Sequence, residues 1–380
     1  MKRALAIGLV LVLAPAARAL CPPEATTVTY LQSSFGVGVR TLDLVDRSRR
    51  TPPHAGLPGS RARRLKVEVW YPVAPGEVDP VRDAPLAAER PFPLVVNSPG
   101  LLDSRGGELY YTAHLASRGF VVASIDFPLT RGGAPGGPEL ADFHNQPGDV
   151  RFVIDQLLRL SRRRGEWLAG GVDRKRLGVT GLSLGGGTTL LVTYHRRLRD
   201  RRIRAALPVA PTGCFFGERF YRSTAGPTLL VLQGDQDLLV PLVTNGARVF
   251  ERARSPRRLV TLAHGTHTAF VTYFTGSAAE SYDKIGCAAI AGVATLGDIF
   301  AGLGGPRAGI DPTGCALPCQ DPPPDNPPMS ADEQHRLTKV VEAAFFDATL
   351  KGSAAASCFL GEVMAAENPD ARVATHAAGP

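Results

Sequence analysis

Leu65, Val67 and Val69 alternate with Lys66, Glu68 and Trp70 ahead of Tyr71-Pro72, the period-two pattern of a strand with one wet face. The runs Leu94–Asn97, Phe120–Asp126, Leu177–Leu182, Ala205–Val209 and Thr228–Gln233 are continuously apolar, which predicts strands buried on both faces. Arg258–Ala263 reads as one more. Between them, Val150, Val153, Ile154, Leu157 and Leu158 fall at i, i+3, i+4, i+7 and i+8, an amphipathic helix. A last helix opens at Ser330 with Glu333 three residues on, carries Leu337, Val341, Ala344, Phe345 and Ala348 on one face, and stops at Gly352, the signature of a capping box at one end and a glycine stop at the other. Strands alternating with helices in this way predict an α/β fold with a mostly parallel central sheet flanked by helices.

Residues 271–329 interrupt that alternation. They combine a small-residue apolar stretch, Cys287, Cys315 and Cys319, and the run Asp321-Pro322-Pro323-Pro324. A connection this long inside a compact fold is expected to be an insertion or lid-like segment. No internal repeat and no linker divides the rest, so residues 20–380 read as a single domain.

The chain has 380 residues, 44% hydrophobic and 21% charged, enough apolar material for a large core and too little charge for a disordered tail. Its 41 glycines and 32 prolines show no three-residue period, which excludes a collagen-like fibre. Lys2 and Arg3, the apolar stretch Leu5–Val12 and Ala17-Arg18-Ala19 read as a signal peptide over residues 1–19, with the mature chain starting at Leu20 and destined for the periplasm or the cell exterior. Leu20 is not the small residue that a lipid-anchored Cys21 would need before it. No other apolar run approaches the ~20 residues of a membrane span. Loss of Lys2, Arg3 and Arg18 with the leader lowers the formal charge from +8 to +5. The arginine clusters Arg162–Arg164 and Arg196–Arg204 lack interleaved aromatics, so they read as solvated faces and no nucleic-acid partner is expected. Six cysteines, Cys21, Cys214, Cys287, Cys315, Cys319 and Cys358, form an even set in an oxidising compartment, so up to three disulfides are expected with the pairing open. Cys315-x-x-x-Cys319 lacks a second ligand pair, and no metal is expected.

The candidate chemistry centres on Gly181-Leu182-Ser183-Leu184-Gly185, which follows the run Leu177–Thr180 and precedes a helical stretch. That context suits a nucleophile elbow, in which a serine occupies a strained strand-to-helix turn and the glycines let backbones pass. A serine hydroxyl needs a base, and the base needs an orienting acid. Gly234-Asp235-Gln236-Asp237 follows a buried strand; Asp237 is the favoured acid and Asp235 a turn residue. Among the histidines that follow, His267 in Ala263-His264-Gly265-Thr266-His267 is favoured as base and His264 as an exposed neighbour, while His335 and His376 fit surface positions. The order Ser183, Asp237, His267 is that of the α/β-hydrolases. Leu184 supplies one backbone donor for an oxyanion. The second comes from Gly100 or Leu101, since Pro99 has no N–H.

With these residues in place the chain resembles the platelet-activating-factor acetylhydrolase and dienelactone-hydrolase-like branch of the α/β-hydrolases. The likeness spans about Val37 to Gly352 through Val37-Gly38-Val39-Arg40, Val69-Trp70-Tyr71-Pro72, Ser98-Pro99-Gly100-Leu101, Leu115–Phe120, Arg176–Gly181 and Ala344-Phe345-Phe346-Asp347. The resemblance implies ester hydrolysis through an acyl-enzyme, without cofactor, with Leu101 and Leu184 as the oxyanion donors. Pro99 and Leu182 stand where that family usually has histidine, which implies an altered pocket. The substrate expected is a short-chain acyl, lipid or polyester ester. The competing expectations are a catalytically silent scaffold that binds, and an amide or thioester hydrolase on the same triad.

Overall fold

The computed structural model describes residues 21–376 except 77–78, 223–225, 277–281, 292, 294–298, 301 and 321–324. The expected signal peptide over residues 1–19 and the run Asp321–Pro324 lie outside the described residues. The described strands are β1 (Gly36–Asp46), β2 (Arg63–Val73), β3 (Val81–Arg82), β4 (Phe92–Ser98), β5 (Val121–Asp126), β6 (Val172–Leu182), β7 (Ile203–Val209), β8 (Thr228–Gly234), β9 (Arg257–Leu262) and β10 (Ala371–His376). They form one sheet in the order β10-β9-β8-β7-β6-β4-β5-β2-β1-β3. The run from β5 through β9 is parallel, β2 pairs antiparallel with β5 and β1, β10 pairs antiparallel with β9, and β3 lies parallel to β1. The expected α/β architecture is present.

The continuous apolar runs are explained by burial on both sides. Leu94 and Val96 enter one core cluster and Val95 the other; Leu229 and Val231 divide from Leu230 and Leu232 in the same way. On the first face lie the helices Gln146–Arg162 and Leu184–Tyr194, which contribute Val150, Val153, Ile154, Leu157, Leu190 and Leu191. On the second lies the helix Ala331–Leu350, with Leu337, Val341, Ala344 and Phe345 buried against β6, β7 and β8. Each such side chain adds roughly 1.5–3 kcal/mol on burial. The Ser330 hydroxyl accepts from the Glu333 N–H at 3.2 Å. The reciprocal half of the expected capping box is replaced, because the Glu333 carboxylate takes two hydrogen bonds from Arg336 at 2.7 and 2.6 Å.

Two long-range features have no local signal in the sequence. Strand β1 carries glycines where a side chain would collide: a Cβ on Gly38 would lie 2.5 Å from the Tyr71 ring of β2. Arg63, wholly buried in β2, forms hydrogen-bonded ion pairs with Asp142 at 2.6 and 3.0 Å and with Asp149 at 2.7 Å. The Arg49 guanidinium also reaches Asp149, at 2.7 Å.

All six cysteines are bridged, as Cys21–Cys358, Cys214–Cys315 and Cys287–Cys319. Cys315 and Cys319 thus go to different partners, and Cys21 is committed to a disulfide. No helix among the described residues is long and apolar enough to cross a membrane. Arg162–Arg164, Arg196, Arg197, Arg201 and Arg204 are exposed, and Arg202 pairs with Asp200 and Asp155.

Candidate active site

Ser183 joins β6 to the helix Leu184–Tyr194 with φ 57° and ψ −116°. For a residue other than glycine this left-handed backbone is strained by about 1–3 kcal/mol and persists where the surroundings enforce it. They do so through the flanking glycines. A Cβ on Gly185 would lie 1.7 Å from the carbonyl oxygen of Ser98, and one on Gly181 would lie 2.5 Å from the same oxygen. Val209 accepts the Ser183 N–H at 2.9 Å, and Ser183 in turn accepts from Thr212 N at 3.1 Å.

Asp237 and His267 come from the loops after β8 and β9. Those loops touch through glycine: a Cβ on Gly234 would sit 2.1 Å from the carbonyl oxygen of Gly265. His267 Nδ1 lies 2.8 Å from Asp237 Oδ2, with both residues buried. A carboxylate only accepts, so Nδ1 holds the proton and Nε2 is left as the basic nitrogen. Asp237 Oδ1 accepts from Val240 N at 2.7 Å, and Gln233 Nε2 reaches Asp237 Oδ2 at 3.3 Å. Burial opposes a charged imidazole, but the Asp237 carboxylate and its hydrogen bond outweigh burial and hold His267 above its ordinary value. Burial pushes the Asp237 carboxyl up, and the His267 partner pulls it back.

The other candidates stand apart. Asp235 is exposed, accepts from His264 N at 2.7 Å and pairs with Arg372. His264 is exposed at φ 60° and meets Gln236, at 2.9 Å. His376 is exposed on β10, a strand with no clear sequence signal. His335 departs from its expected surface position: it is buried, with its ring stacked on Tyr110 at 3.9 Å between centroids. The helix turns it inward toward Tyr110, where the polar pattern of the segment suggested solvent.

Ser183, His267, Leu101 and Leu184 all line one cavity of about 560 Å³. A Cβ on Gly100 would be 3.5 Å from that of Ser183, so the loop after β4 lies against the elbow. Among the described residues, the N–H groups of Leu101 and Leu184 meet no protein acceptor. The cavity wall is largely apolar, with Leu140, Leu182, Leu239 and Val240 on the sheet side and Val271, Phe274, Ile290, Ile299 and Leu317 from the segment 271–329. Leu182, one of the two departures from the resembled family, is part of this wall.

Four polar side chains here carry no local signal in the sequence. Gln233 braces Asp237. Asp103 lines the cavity just past the oxyanion loop, beside the fully buried Glu108. Burial pushes both carboxyls up, Glu108 strongly. Asp283, on the helix Tyr282–Ile290, is buried beside both triad loops. Each depends on tertiary contacts between distant segments, which no local spacing encodes.

The proteins that this chain resembles are named for ester hydrolysis. The chain is 28% identical over 178 residues to a bis(hydroxyethyl) terephthalate hydrolase of Streptomyces coelicolor, covering 46% of this chain and 50% of that one. It is 27% identical over 157 residues to cutinase 1 of Thermobifida cellulosilytica, covering 40% of this chain and 51% of that one. The chain thus spans about half the length of these relatives. A ferulic acid esterase from Streptomyces cinnamoneus superposes with a TM-score of 0.57 at 25% identity, over 90% of this chain and 97% of that one. Residues 84–282, just over half of the chain and inclusive of Ser183, Asp237 and His267, match the family described as PETase, PET hydrolase-like, and the chain belongs to that family.

Proposed function

We propose that the protein is a secreted serine hydrolase that cleaves carboxylic esters through an acyl-enzyme. The observation that carries this reading is the 2.8 Å contact of His267 Nδ1 with Asp237 Oδ2, beside a cavity that His267 and Ser183 both line. In this mechanism Asp237 holds the Nδ1 proton, and Nε2 takes the proton of Ser183 as its Oγ bonds to the ester carbonyl carbon. Charge develops on the carbonyl oxygen, where the N–H groups of Leu101 and Leu184 donate, each worth roughly 3 kcal/mol. The bond to the alcohol breaks as Nε2–H returns the proton to the leaving oxygen. Water, deprotonated by Nε2, then releases the acid and restores Ser183.

The apolar wall favours an uncharged acyl group that fits the cavity. Relatives named for a terephthalate ester, cutin and ferulic acid support acyl and polyester esters as the substrate class. The motifs Ser98-Pro99-Gly100-Leu101 and Leu115–Phe120 support the finer placement near the platelet-activating-factor acetylhydrolase and dienelactone hydrolase branch. Export through residues 1–19 is part of the proposal, supported by three disulfides that suit an oxidising compartment. Residues 20–380 then act as one α/β domain, with 271–329 walling the cavity.

The test is a chain-length panel of p-nitrophenyl esters on the wild type and on Ser183→Ala. Removal of the nucleophile is expected to lower kcat at least ~10³-fold; equal rates in the two proteins overturn the reading. A fluorophosphonate labels only an activated serine, so an unlabelled wild type would point to the silent scaffold. Parallel p-nitroanilide and thioester panels separate ester from amide or thioester preference.

A further inference from the structure

We propose that Asp283 is a positioning residue of the Ser183, Asp237 and His267 centre, fixing the acid loop and the base loop against each other from a third element. The proposal rests on the hydrolase reading of that site. Asp283 lies outside the three residues that order and spacing single out, and just past the stretch that matches the family, residues 84–282.

The geometry is direct. Asp283 Oδ2 accepts the N–H of Leu238, next after Asp237, at 2.9 Å and the N–H of His267 itself at 3.1 Å. Its Oδ1 accepts the N–H of Thr268 at 2.8 Å and the Thr268 hydroxyl at 2.6 Å. One fully buried carboxylate therefore satisfies four donors from two loops. This saturates its acceptor capacity. Thr268 is thereby pinned directly after the base, and Leu238 directly after the acid, so the separation of Asp237 from His267 is set by a group that neither loop contains.

The helix Tyr282–Ile290 is shaped for this role. Asp283, Gly286 and Cys287 recur at i, i+3 and i+4, one face of a helix. A Cβ on Gly286 would lie 2.8 Å from the Thr268 methyl and 2.9 Å from Leu239, so glycine there admits the helix to both loops. Cys287 is bridged to Cys319, whose N–H donates to the carbonyl oxygen of Leu238 at 2.7 Å. The titratable groups facing Asp283 are Asp237 and His267; Lys284, beside it on the helix, is exposed. The charge of Asp283 adds to that of Asp237 in favouring a protonated His267.

The test compares kcat, KM and the pH profile of kcat/KM for the wild type and Asp283→Asn with a p-nitrophenyl ester. The amide keeps the shape, removes the charge and puts a donor where donors already point. The expected result is a kcat at least ~10-fold lower with KM within ~2-fold, together with an acid limb moved to lower pH, because His267 loses part of what holds its proton. An unchanged kcat and limb overturn the proposal. So does a lower kcat with an unmoved limb, which would mark a structural role alone. If Asp283→Asn does not fold, Thr268→Val removes one of the four donors but leaves the charge, so a kcat ~3-fold or more lower with KM within ~2-fold and a limb not moved to lower pH is expected; wild-type values overturn the proposal. A wild type inert to fluorophosphonate would defeat the hydrolase reading and this proposal with it, whereas equal labelling rates in wild type and Asp283→Asn defeat this proposal alone.

Discussion

The carbonyl oxygen of Ser98 occupies the space that a side chain on Gly185 would need, 1.7 Å from where its Cβ would stand. The end of β4 and the elbow helix are thereby packed backbone to backbone, and the strained turn at Ser183 is held from both sides. Gly185→Ala must push these backbones apart, a strain of about 1–3 kcal/mol or more. The displacement moves Ser183 and the Leu101 loop together. Fluorophosphonate labelling of the folded variant is expected to slow ~10²-fold; labelling at the wild-type rate would show that the close packing is dispensable.

The pH profile of kcat/KM should rise as His267 loses its proton, since only the neutral imidazole accepts from Ser183. The Asp237 carboxylate raises that proton's affinity against the effect of burial, so the acid limb is expected above the ordinary imidazole value of about 6.5. In Asp237→Asn the burial effect remains and the larger of the two opposing charges is gone, leaving only the smaller effect of Asp283. The limb should then fall below the ordinary value while kcat drops roughly 10³–10⁴-fold. A limb unmoved by the substitution would exclude His267 as the titrating base.

Glu108 offers a sharper contrast between two substitutions. Its Oε2 accepts from Asn97 Nδ2 at 2.9 Å, and since burial pushes both Glu108 and Asp103 up, one proton shared between the two carboxyls is the expected state. Glutamine reproduces both contacts, accepting from Asn97 and donating to Asp103. Glu108→Gln is therefore expected to lie within ~1 kcal/mol of wild type in denaturant unfolding, whereas Glu108→Ala leaves Asn97 and Asp103 short of partners and costs about 1–3 kcal/mol. Equal losses in the two variants would exclude the shared proton.

Arg63 tests the fold away from the chemistry. Its side chain is wholly buried between Asp142 and Asp149. Truncation to alanine leaves the buried Asp142 without a charge partner and Asp149 with Arg49 alone, which costs about 3–5 kcal/mol. Guanidinium unfolding of Arg63→Ala should show that loss, with kcat/KM of the folded fraction near wild type.

The parts legible in the sequence are those in which neighbours along the chain are also neighbours in space. β4, β6, β7 and β8 announce themselves as apolar runs because each is buried on both faces, and the helix Ala331–Leu350 by its period and its serine cap. The elbow is legible because a strand, a tight turn and a helix follow one another directly. The contact of His267 with Asp237 follows from which residues clear the glycine turns, with Asp235 left in the turn itself. The rest depends on distant segments meeting. β10 is short, largely exposed and stabilised by β9. His335 turns inward because Tyr110 offers it a ring. Asp283, Gln233 and the Asp103 to Glu108 pair acquire their roles from loops that converge only in the folded chain, and the six cysteines admit fifteen pairings until the backbone selects one.

The bridge Cys214–Cys315 ties the far wall of the cavity to the body that carries the elbow, and Cys287–Cys319 staples that wall to itself. The sheet has its own apolar core, so its assembly is expected without them. Material produced in a reducing host should thus show normal secondary structure yet turn over poorly, and its specific activity should climb during air oxidation without any change in far-ultraviolet dichroism. Preparations of this protein are better judged by thiol titration than by folding criteria alone.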